Sequence, residues 1–181
     1  ARADAGTRVS AADTRYSAPL DAAEAAEFVP FLAELVATAE ARILPLFLAG
    51  TAVETKSDAT PVTAADRGAE AAMRALIESR YPDHGILGEE FGTRESAARA
   101  PRYRWVLDPV DGTRAFITHC FLFGTLIALE RDDGAGYRPV LGAIAHPVAG
   151  LGLIGHAGQT RLVARDGSAR AVRVRPCDSL A

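Results

Sequence analysis

The sequence predicts an α+β protein in which two helices pack on one face of a largely antiparallel sheet. Three observations favour this fold class. Two helical patterns occupy residues 21 to 80, a run of strand-like stretches follows them, and Asp166-Gly167 between the last two strands is a strong hairpin signal. Helices followed by a run of strands are typical of a layered α+β arrangement.

The first predicted helix begins near Asp21 and ends near Gly50. Asp21 with Glu24 three residues later is typical of a capping box. Apolar residues then recur at helical spacing, at Phe28, Leu32, Leu35, Ala39 and Ile43. Because Pro30 and Pro45 each lack a backbone donor, a start nearer Pro30 and a bend near Pro45 are a second possibility.

The second helix is predicted to follow a short strand and a turn. Residues 53–56 form the strand, "SDATPVT" at 57–63 turns the chain, and Thr63 stands where a helix cap is expected. The buried face of this helix is expected to consist of Ala65, Ala69, Met73, Leu76 and Ile77. "YPDHG" at 81–85 should end the helix.

The rest of the chain is predicted to form the sheet. The expected strands are 86–89, 103–107, 122–129, 140–145, 151–155, 161–164 and 171–174. One face of this sheet would carry the two helices, and its other face is expected to need a cover from outside these elements.

Composition and charge exclude several classes of partner. With 181 residues, 49% hydrophobic residues and a net charge of -3, the chain is expected to be globular, with no basic surface for nucleic acid. No segment approaches the roughly 20 apolar residues of a membrane span, and residues 1–17 are expected to form a disordered tail. Cys120 and Cys177 follow no metal or redox spacing, which indicates a reducing compartment and a cytoplasmic location.

Acidic residues gather at two predicted strand ends. Glu89 and Glu90 follow Ile86-Leu87-Gly88, while Asp108 and Asp111 follow the apolar run in "WVLDPVDGT". Like charges held close together are costly unless a cation or a proton neutralises them. Ligation by oxygen alone favours magnesium, manganese or calcium. No paired ligand spacing is present among the histidines, which are expected on the surface or in the core, at His84, His119, His146 and His156.

The turn "DPVDGT" has features that suit a phosphate site. Pro109 stiffens the turn and biases Asp108 toward an extended backbone. Gly112 permits unusual backbone angles, and the amides of a short helix starting there would face the same point. A surface turn with capping aspartates would use the same letters. An EF-hand is disfavoured because its glutamate position holds His119.

Three motifs in order resemble the inositol monophosphatase superfamily of magnesium-dependent, lithium-sensitive phosphatases. They are "DATPVTAAD" at 58–66, "GEEFG" at 88–92 and "DPVDGT" at 108–113. "ILPLF" at 43–47 and "GTRAFITHCFLFGTLIAL" at 112–129 look most like the histidinol-phosphatase branch. The resemblance implies the N-terminal half of a layered αβαβα sugar-phosphatase fold.

The resemblance also implies a set of metal ligands for Mg²⁺. Glu89, Asp108 and the backbone carbonyl of Val110 would hold one ion, and Asp108 would bridge to a second ion that Asp111 also binds. For Glu89, a solvated strand end is the alternative interpretation.

The same resemblance implies the catalytic and phosphate-binding residues. Thr113, hydrogen-bonded to Asp66, would orient and help activate the attacking water. The amides of Gly112 and Thr113 would hold the phosphate of the substrate. Glu90 and Lys56 are possible contributors, and a simple helix-start charge is the alternative role for Asp66.

The resemblance, with the acidic sites at the two strand ends, implies a magnesium-dependent phosphomonoesterase that uses two or three metal ions for in-line attack by water. The expected substrate is a small phosphorylated alcohol, histidinol phosphate, with inositol monophosphate or a related sugar phosphate as the alternative. Residues 18–174 would form the metal-binding N-terminal domain, and 175–181 would begin a truncated second domain. A homodimer is expected for the full-length form, and an inactive metal-binding fragment is the remaining alternative.

Overall fold

A computed structural model describes residues 18–50, 53–55, 61–98 and 102–174 of the chain. The predictions for residues 1–17 and 175–181, and for Lys56, lie outside these ranges. Within them the helices are α1 (Ala22–Ala49), α2 (Ala64–Arg80) and α3 (Thr113–Ile117). The strands are β1 (Val53–Thr55), β2 (Pro61–Thr63), β3 (Gly85–Gly88), β4 (Gly92–Arg94), β5 (Arg102–Asp111), β6 (Gly124–Asp132), β7 (Tyr137–His146), β8 (Leu151–His156), β9 (Gln159–Ala164) and β10 (Ala169–Val172).

Eight of the described strands form one sheet, in the order β10-β9-β8-β7-β6-β5-β3-β4. Every neighbouring pair is antiparallel except β3 and β5, which are parallel. The remaining two described strands, β1 and β2, pair antiparallel with each other. The predicted α+β class with a largely antiparallel sheet is confirmed.

Helix α1 begins at the predicted cap and not near Pro30. Asp21 Oδ1 accepts hydrogen bonds from the amides of Ala23 and Glu24, and Glu24 Oε2 accepts one from the Asp21 amide at 2.8 Å. This capping box satisfies the first free amides and starts the helix at Ala22. Pro30 lies inside the helix, where it removes only one interior hydrogen bond. Gly50, with φ of 79°, ends the helix as predicted.

Helix α2 also starts at its predicted cap. The Thr63 side chain accepts from the Ala65 amide at 3.1 Å, and Asp66 Oδ2 accepts from the Thr63 amide at 2.8 Å. The predicted apolar face is buried, although Leu76 is only partly buried. Two acidic residues that the apolar pattern did not include are also buried on α2, Asp66 and Glu70.

The core lies between the helices and the sheet. Its largest fully buried side chains are Trp105, Phe31, Phe123, Leu32, Leu35, Ile43, Met73, Ile77, Ile86, Leu107, Ile127 and Leu129. His84 is part of this core, because its ring stacks on Tyr81 and its Nδ1 accepts a hydrogen bond from Trp105 Nε1 at 3.2 Å. Burial lowers the pKa of His84 to about 4, so the ring is neutral at pH 7.

Two short strands depart from the prediction. Residues 61–63, expected to be part of a turn, form β2, and residues 92–94 form β4 although no strand was predicted there. Strand β4 lies at the edge of the sheet, and its Gly92 and Thr93 are exposed, so it carries no apolar alternation that the sequence could show. The β9–β10 hairpin forms where Asp166-Gly167 predicted it, with Gly167 at φ of 84°.

The face of the sheet away from the helices has no cover in the described ranges. On strand β7, Ile144 alternates with buried Ala143 and Ala145 and is 49% exposed.

Across the described ranges, none of the helices combines the length and the apolar character needed to cross a membrane.

Candidate metal centre

The parallel pairing of β3 and β5 brings the two predicted acidic sites together. Gly88, the last residue of β3, lies opposite Leu107, so Glu89 and Asp108 follow at neighbouring strand ends. The Glu89 amide donates to the Leu107 carbonyl at 3.2 Å, which continues the pairing by one residue. Ligand sites commonly form at the carboxyl ends of parallel strands. Residues nineteen positions apart therefore present their carboxyl groups at one edge.

Asp108 is the most perturbed of these carboxyl groups. Burial, the negative charge of Glu89, a side-chain hydrogen bond with Glu89, and the charges of Asp111 and Asp66 together raise its pKa to about 7. Its Oδ1 atom is buried and has no hydrogen-bond partner among the described residues. A buried carboxyl oxygen without a partner is costly unless a proton or a cation satisfies it.

A bulge directs Asp111 away from the regular strand. Asp108 lies opposite Leu126 and Asp111 opposite Gly124, and the register shifts between these two pairs. Thr125 Oγ1 donates to the Pro109 carbonyl at 2.8 Å, which fastens the turn to β6. Bulges of this kind re-aim side chains at the ends of strands. Asp111 is accordingly exposed at the acidic edge.

Gly112 then turns the chain into α3. Its φ of 92° lies in the left-handed region, which a residue with a side chain adopts only with strain. Thr113 is the first residue of α3, and its Oγ1 lies 3.2 Å from the Val110 carbonyl. The sequence motif "DPVDGT" therefore forms a strand end, a bulge, a glycine turn and a short helix in succession.

Asp66 connects this turn to helix α2. It is 2% exposed, and its Oδ1 lies 3.5 Å from Thr113 Oγ1. Its other oxygen accepts from the amide and the hydroxyl of Thr63. The pair that the resemblance implied is thus in contact, and Asp66 also serves as the capping-box acid of α2.

Sequence reasoning missed Glu70, which lies behind the acidic edge. Glu70 is fully buried on α2 and accepts hydrogen bonds from the amides of Glu90 and Phe91. A signal was present, because an acidic residue at position 70 falls on the apolar face beside Ala69 and Met73. A charged residue on a buried helical face generally has a specific partner.

The donor set suits a hard divalent cation, although the ligands are not assembled around a point. No three Asp, Glu, His or Cys side chains among the described residues converge as a metal cluster. The carboxyl groups of Glu89 and Asp108 hydrogen-bond to each other instead, which two carboxyl groups do when they share a proton. The orphaned Asp108 oxygen and the surplus of negative charge both fit a cation, and the oxygen-only donors favour magnesium over zinc.

The fold and the acidic edge together define a layered α+β domain with oxygen donors gathered at the end of a parallel strand pair. The chain belongs to the inositol monophosphatase family, whose family model matches residues 24–178. Both the predicted family and the predicted fold are confirmed by this match and by the solved structures it resembles.

Named relatives include histidinol phosphatases. The chain is 43% identical over 98 residues to "Histidinol-phosphatase" of Streptomyces coelicolor, covering 54% of this chain and 35% of that protein. It is 46% identical over 116 residues to "Bifunctional phosphatase IMPL2, chloroplastic" of Arabidopsis thaliana, covering 64% of this chain and 32% of that protein.

Among solved structures, an inositol monophosphatase from Zymomonas mobilis superimposes with a TM-score of 0.64 at 40% identity, covering 84% of this chain and 55% of that one. A Thermotoga maritima inositol monophosphatase, at 21% identity and a TM-score of 0.59, shows the shared fold alone. The chain therefore spans about half the length of the solved relative from Zymomonas, and its matched segment spans about a third of the curated ones.

Proposed function

We propose that this chain is the metal-binding portion of a magnesium-dependent phosphomonoesterase that hydrolyses a small phosphorylated alcohol. The observation that carries the proposal is the buried Asp108 oxygen without a hydrogen-bond partner in the described ranges, beside Glu89 and Asp111. Three acidic groups at one sheet edge are unfavourable for the bare protein and favourable once a divalent cation binds.

Each residue of the edge has a role in this proposal. Glu89, Asp108 and the Val110 carbonyl would hold one Mg²⁺, and Asp108 and Asp111 would hold a second. Bound Mg²⁺ lowers the pKa of a coordinated water and offsets the charge that develops on the leaving oxygen.

The water-orienting role belongs to Thr113. Its hydroxyl, supported by the buried Asp66 carboxylate, orients a water molecule for attack on phosphorus in line with the leaving alcohol. The amides of Gly112 and Thr113 bind the phosphate oxygens, which carry the negative charge that amides prefer.

The preferred substrate in this proposal is histidinol phosphate. Support comes from the motif resemblance and from relatives named histidinol-phosphatase in Streptomyces coelicolor and Chlorobaculum parvum, at 43% and 44% identity. Inositol monophosphate is the second candidate, favoured by the 40% identity to the Zymomonas mobilis inositol monophosphatase.

We also propose that the enzyme is cytoplasmic, that it forms a homodimer when full-length, and that it has no nucleic-acid or membrane partner.

Parallel assays test the activity and the substrate together. Phosphate release from histidinol phosphate and from inositol monophosphate is measured with Mg²⁺ and with chelator, on this chain and on a longer gene product if the reading frame continues past Ala181. Magnesium-dependent release that is faster with histidinol phosphate supports the proposal. Faster release from inositol monophosphate favours the second candidate. Equal release with Mg²⁺ and with chelator from the longer product as well as from this chain contradicts the enzymatic function.

The same assays address a third candidate, an inactive metal-binding fragment. The fact that this chain spans only part of its relatives motivates that candidate. Calorimetry that shows normal Mg²⁺ binding by this chain, without phosphate release from it, would support the fragment.

A further inference from the structure

The turn that carries Glu89 is tied to helix α2 by one buried carboxylate. Glu70 Oε2 accepts a hydrogen bond from the Glu90 amide at 2.7 Å, and Glu70 Oε1 accepts from the Phe91 amide at 3.2 Å. The Glu70 side chain is fully buried. Two successive amides of the turn between β3 and β4 are therefore bound by a single side chain from another element.

Arg74 completes this contact one helical turn later. Its Nε donates to Glu70 Oε1 at 2.8 Å, and its Nη2 donates to the Gly92 carbonyl. Its guanidinium also lies 5.9 Å from the ring centroid of Phe91. Since the Arg74 side chain is only 13% exposed, the ion pair with Glu70 is shielded from water and offsets the cost of burying that carboxylate.

The end of β3 is shaped to fit Glu70. A Cβ atom added to Gly88 would lie 1.8 Å from Glu70 Oε1 and 2.8 Å from Arg74 Nη2. No side chain can therefore replace the glycine while Glu70 keeps its position. The close approach of Glu70 to the backbone at Gly88 is what lets its carboxylate reach the amides of the next turn.

Glu89 is consequently held from both sides. Its own amide donates to the Leu107 carbonyl on β5, and the amide of the following residue donates to Glu70 on α2. Its side chain projects from this fixed backbone into the exposed acidic edge beside Asp108.

We propose that Glu70 is a positioning residue that, together with Arg74, holds the Glu89 carboxylate where it binds a divalent cation. This inference rests on the proposed function, because it assigns Glu70 to the support of a proposed ligand. Residues that fix the orientation of a metal ligand are worth about 10-fold to 100-fold in metal affinity when they are removed.

Glu70→Gln is the most direct test, since it preserves shape while replacing one acceptor oxygen by a donor group. One of the amides of Glu90 and Phe91, or Arg74, then loses its acceptor. In the cation-free chain, amide hydrogen exchange at Glu90 or at Phe91, whichever amide then faces the new donor group, should accelerate by roughly 10-fold to 100-fold, as expected for a lost hydrogen bond to a charged group. The dissociation constant for Mg²⁺ should rise by about 10-fold or more.

Glu34→Gln is the matched control. It removes the same charge, from an exposed ion pair with Arg80 at 3.2 Å, and should change neither measurement. If Glu70→Gln fails to fold, Arg74→Gln removes the contact with Gly92 and should change both measurements in the same direction.

The outcomes separate this inference from the proposed function. Unchanged exchange at Glu90 and Phe91 in the variants overturns the role of Glu70 in fixing the turn. Faster exchange with an unchanged Mg²⁺ affinity overturns its role in positioning the ligand. If the wild-type chain binds no Mg²⁺, the proposed function and the ligand-positioning role both fail, while the exchange data still decide whether Glu70 holds the turn.

Discussion

Thr113 Oγ1 lies 3.5 Å from Asp66 Oδ1 and 3.2 Å from the Val110 carbonyl, which joins the starts of helices α3 and α2 at the acidic edge. A threonine hydroxyl has one proton and can donate it to only one of these two acceptors. A cation bound at the Val110 carbonyl, as proposed, would make that oxygen the poorer acceptor, so the Asp66 carboxylate would be favoured for the Thr113 proton. The oxygen lone pairs of Thr113 are then available to a water molecule.

Removing the Thr113 hydroxyl should therefore impair catalysis more than folding. In whichever polypeptide releases phosphate, Thr113→Ala should lower the magnesium-dependent rate by about 100-fold, the smaller end of the range for proton-transfer groups. Thr113→Ser keeps a hydroxyl at the same position and should retain most of the rate. Equal rates for the alanine and serine variants would show that the hydroxyl has no part in the reaction.

Asp111→Asn should reduce the number of bound magnesium ions. In the proposal Asp111 binds only the second cation, and an amide is a weaker ligand than a carboxylate for a hard ion. Calorimetric titration should then give one Mg²⁺ fewer per chain than in the wild type. Asp133→Asn is a matched control, because Asp133 is 51% exposed in an ion pair with Arg131. An unchanged stoichiometry in Asp111→Asn would refute the assignment.

The affinity for Mg²⁺ should depend on pH through Asp108. Burial and the neighbouring negative charges raise the pKa of Asp108 to about 7, so below that pH the cation-free carboxyl is protonated. A cation then has to displace this proton. The apparent association constant should be nearly constant above pH 7 and fall by about tenfold for each pH unit below it. Titrations at pH 6 and pH 8 that give the same affinity would exclude Asp108 as the group that controls binding.

His84 should make the folded state less stable in acid. Burial lowers its pKa from 6.5 to about 4, so between these values the unfolded chain binds a proton that the folded chain does not. The folded state therefore loses stability as the pH falls from 6.5 toward 4. Above pH 6.5, where the ring is neutral in both states, His84 adds no dependence of stability on pH. His84→Gln removes the titrating ring and keeps an acceptor for Trp105 Nε1.

Urea unfolding of wild type and His84→Gln at several pH values measures this effect. Below pH 6.5 the free energy of unfolding of the wild type should decrease relative to that of the variant, and above pH 6.5 the difference should stay constant. A difference that does not vary with pH would mean that His84 keeps an ordinary pKa in the folded chain.

The features that sequence reasoning predicted correctly are mostly local. The capping boxes at Asp21 and Thr63 each involve residues three positions apart, and the Asp166-Gly167 hairpin is equally short. Local chemistry of this kind depends little on the rest of the fold. The presence of both acidic strand ends could also be predicted, because charged residues interrupt apolar runs there.

The features that were missed depend on long-range contacts. Strand β4 has no apolar pattern and exists because β3 lies beside it. The role of Glu70 depends on contacts with Glu90 and Phe91, about twenty residues away. The fit of Gly88 to Glu70 likewise follows only from the packing of α2 against the sheet. Sequence spacing does not report such contacts, so these residues require the folded chain.

The measurement that tests the central claim most directly is calorimetric titration of Mg²⁺ into this chain and into its Asp108→Asn variant at pH 8. Asp108 is the ligand proposed for both ions and has a buried oxygen that lacks a hydrogen-bond partner in the described part of the chain. Saturable binding by the wild type and its loss in Asp108→Asn, with both proteins folded, is the predicted result. No binding by the wild type, or equal binding by the two proteins, would contradict a divalent-cation site at this edge.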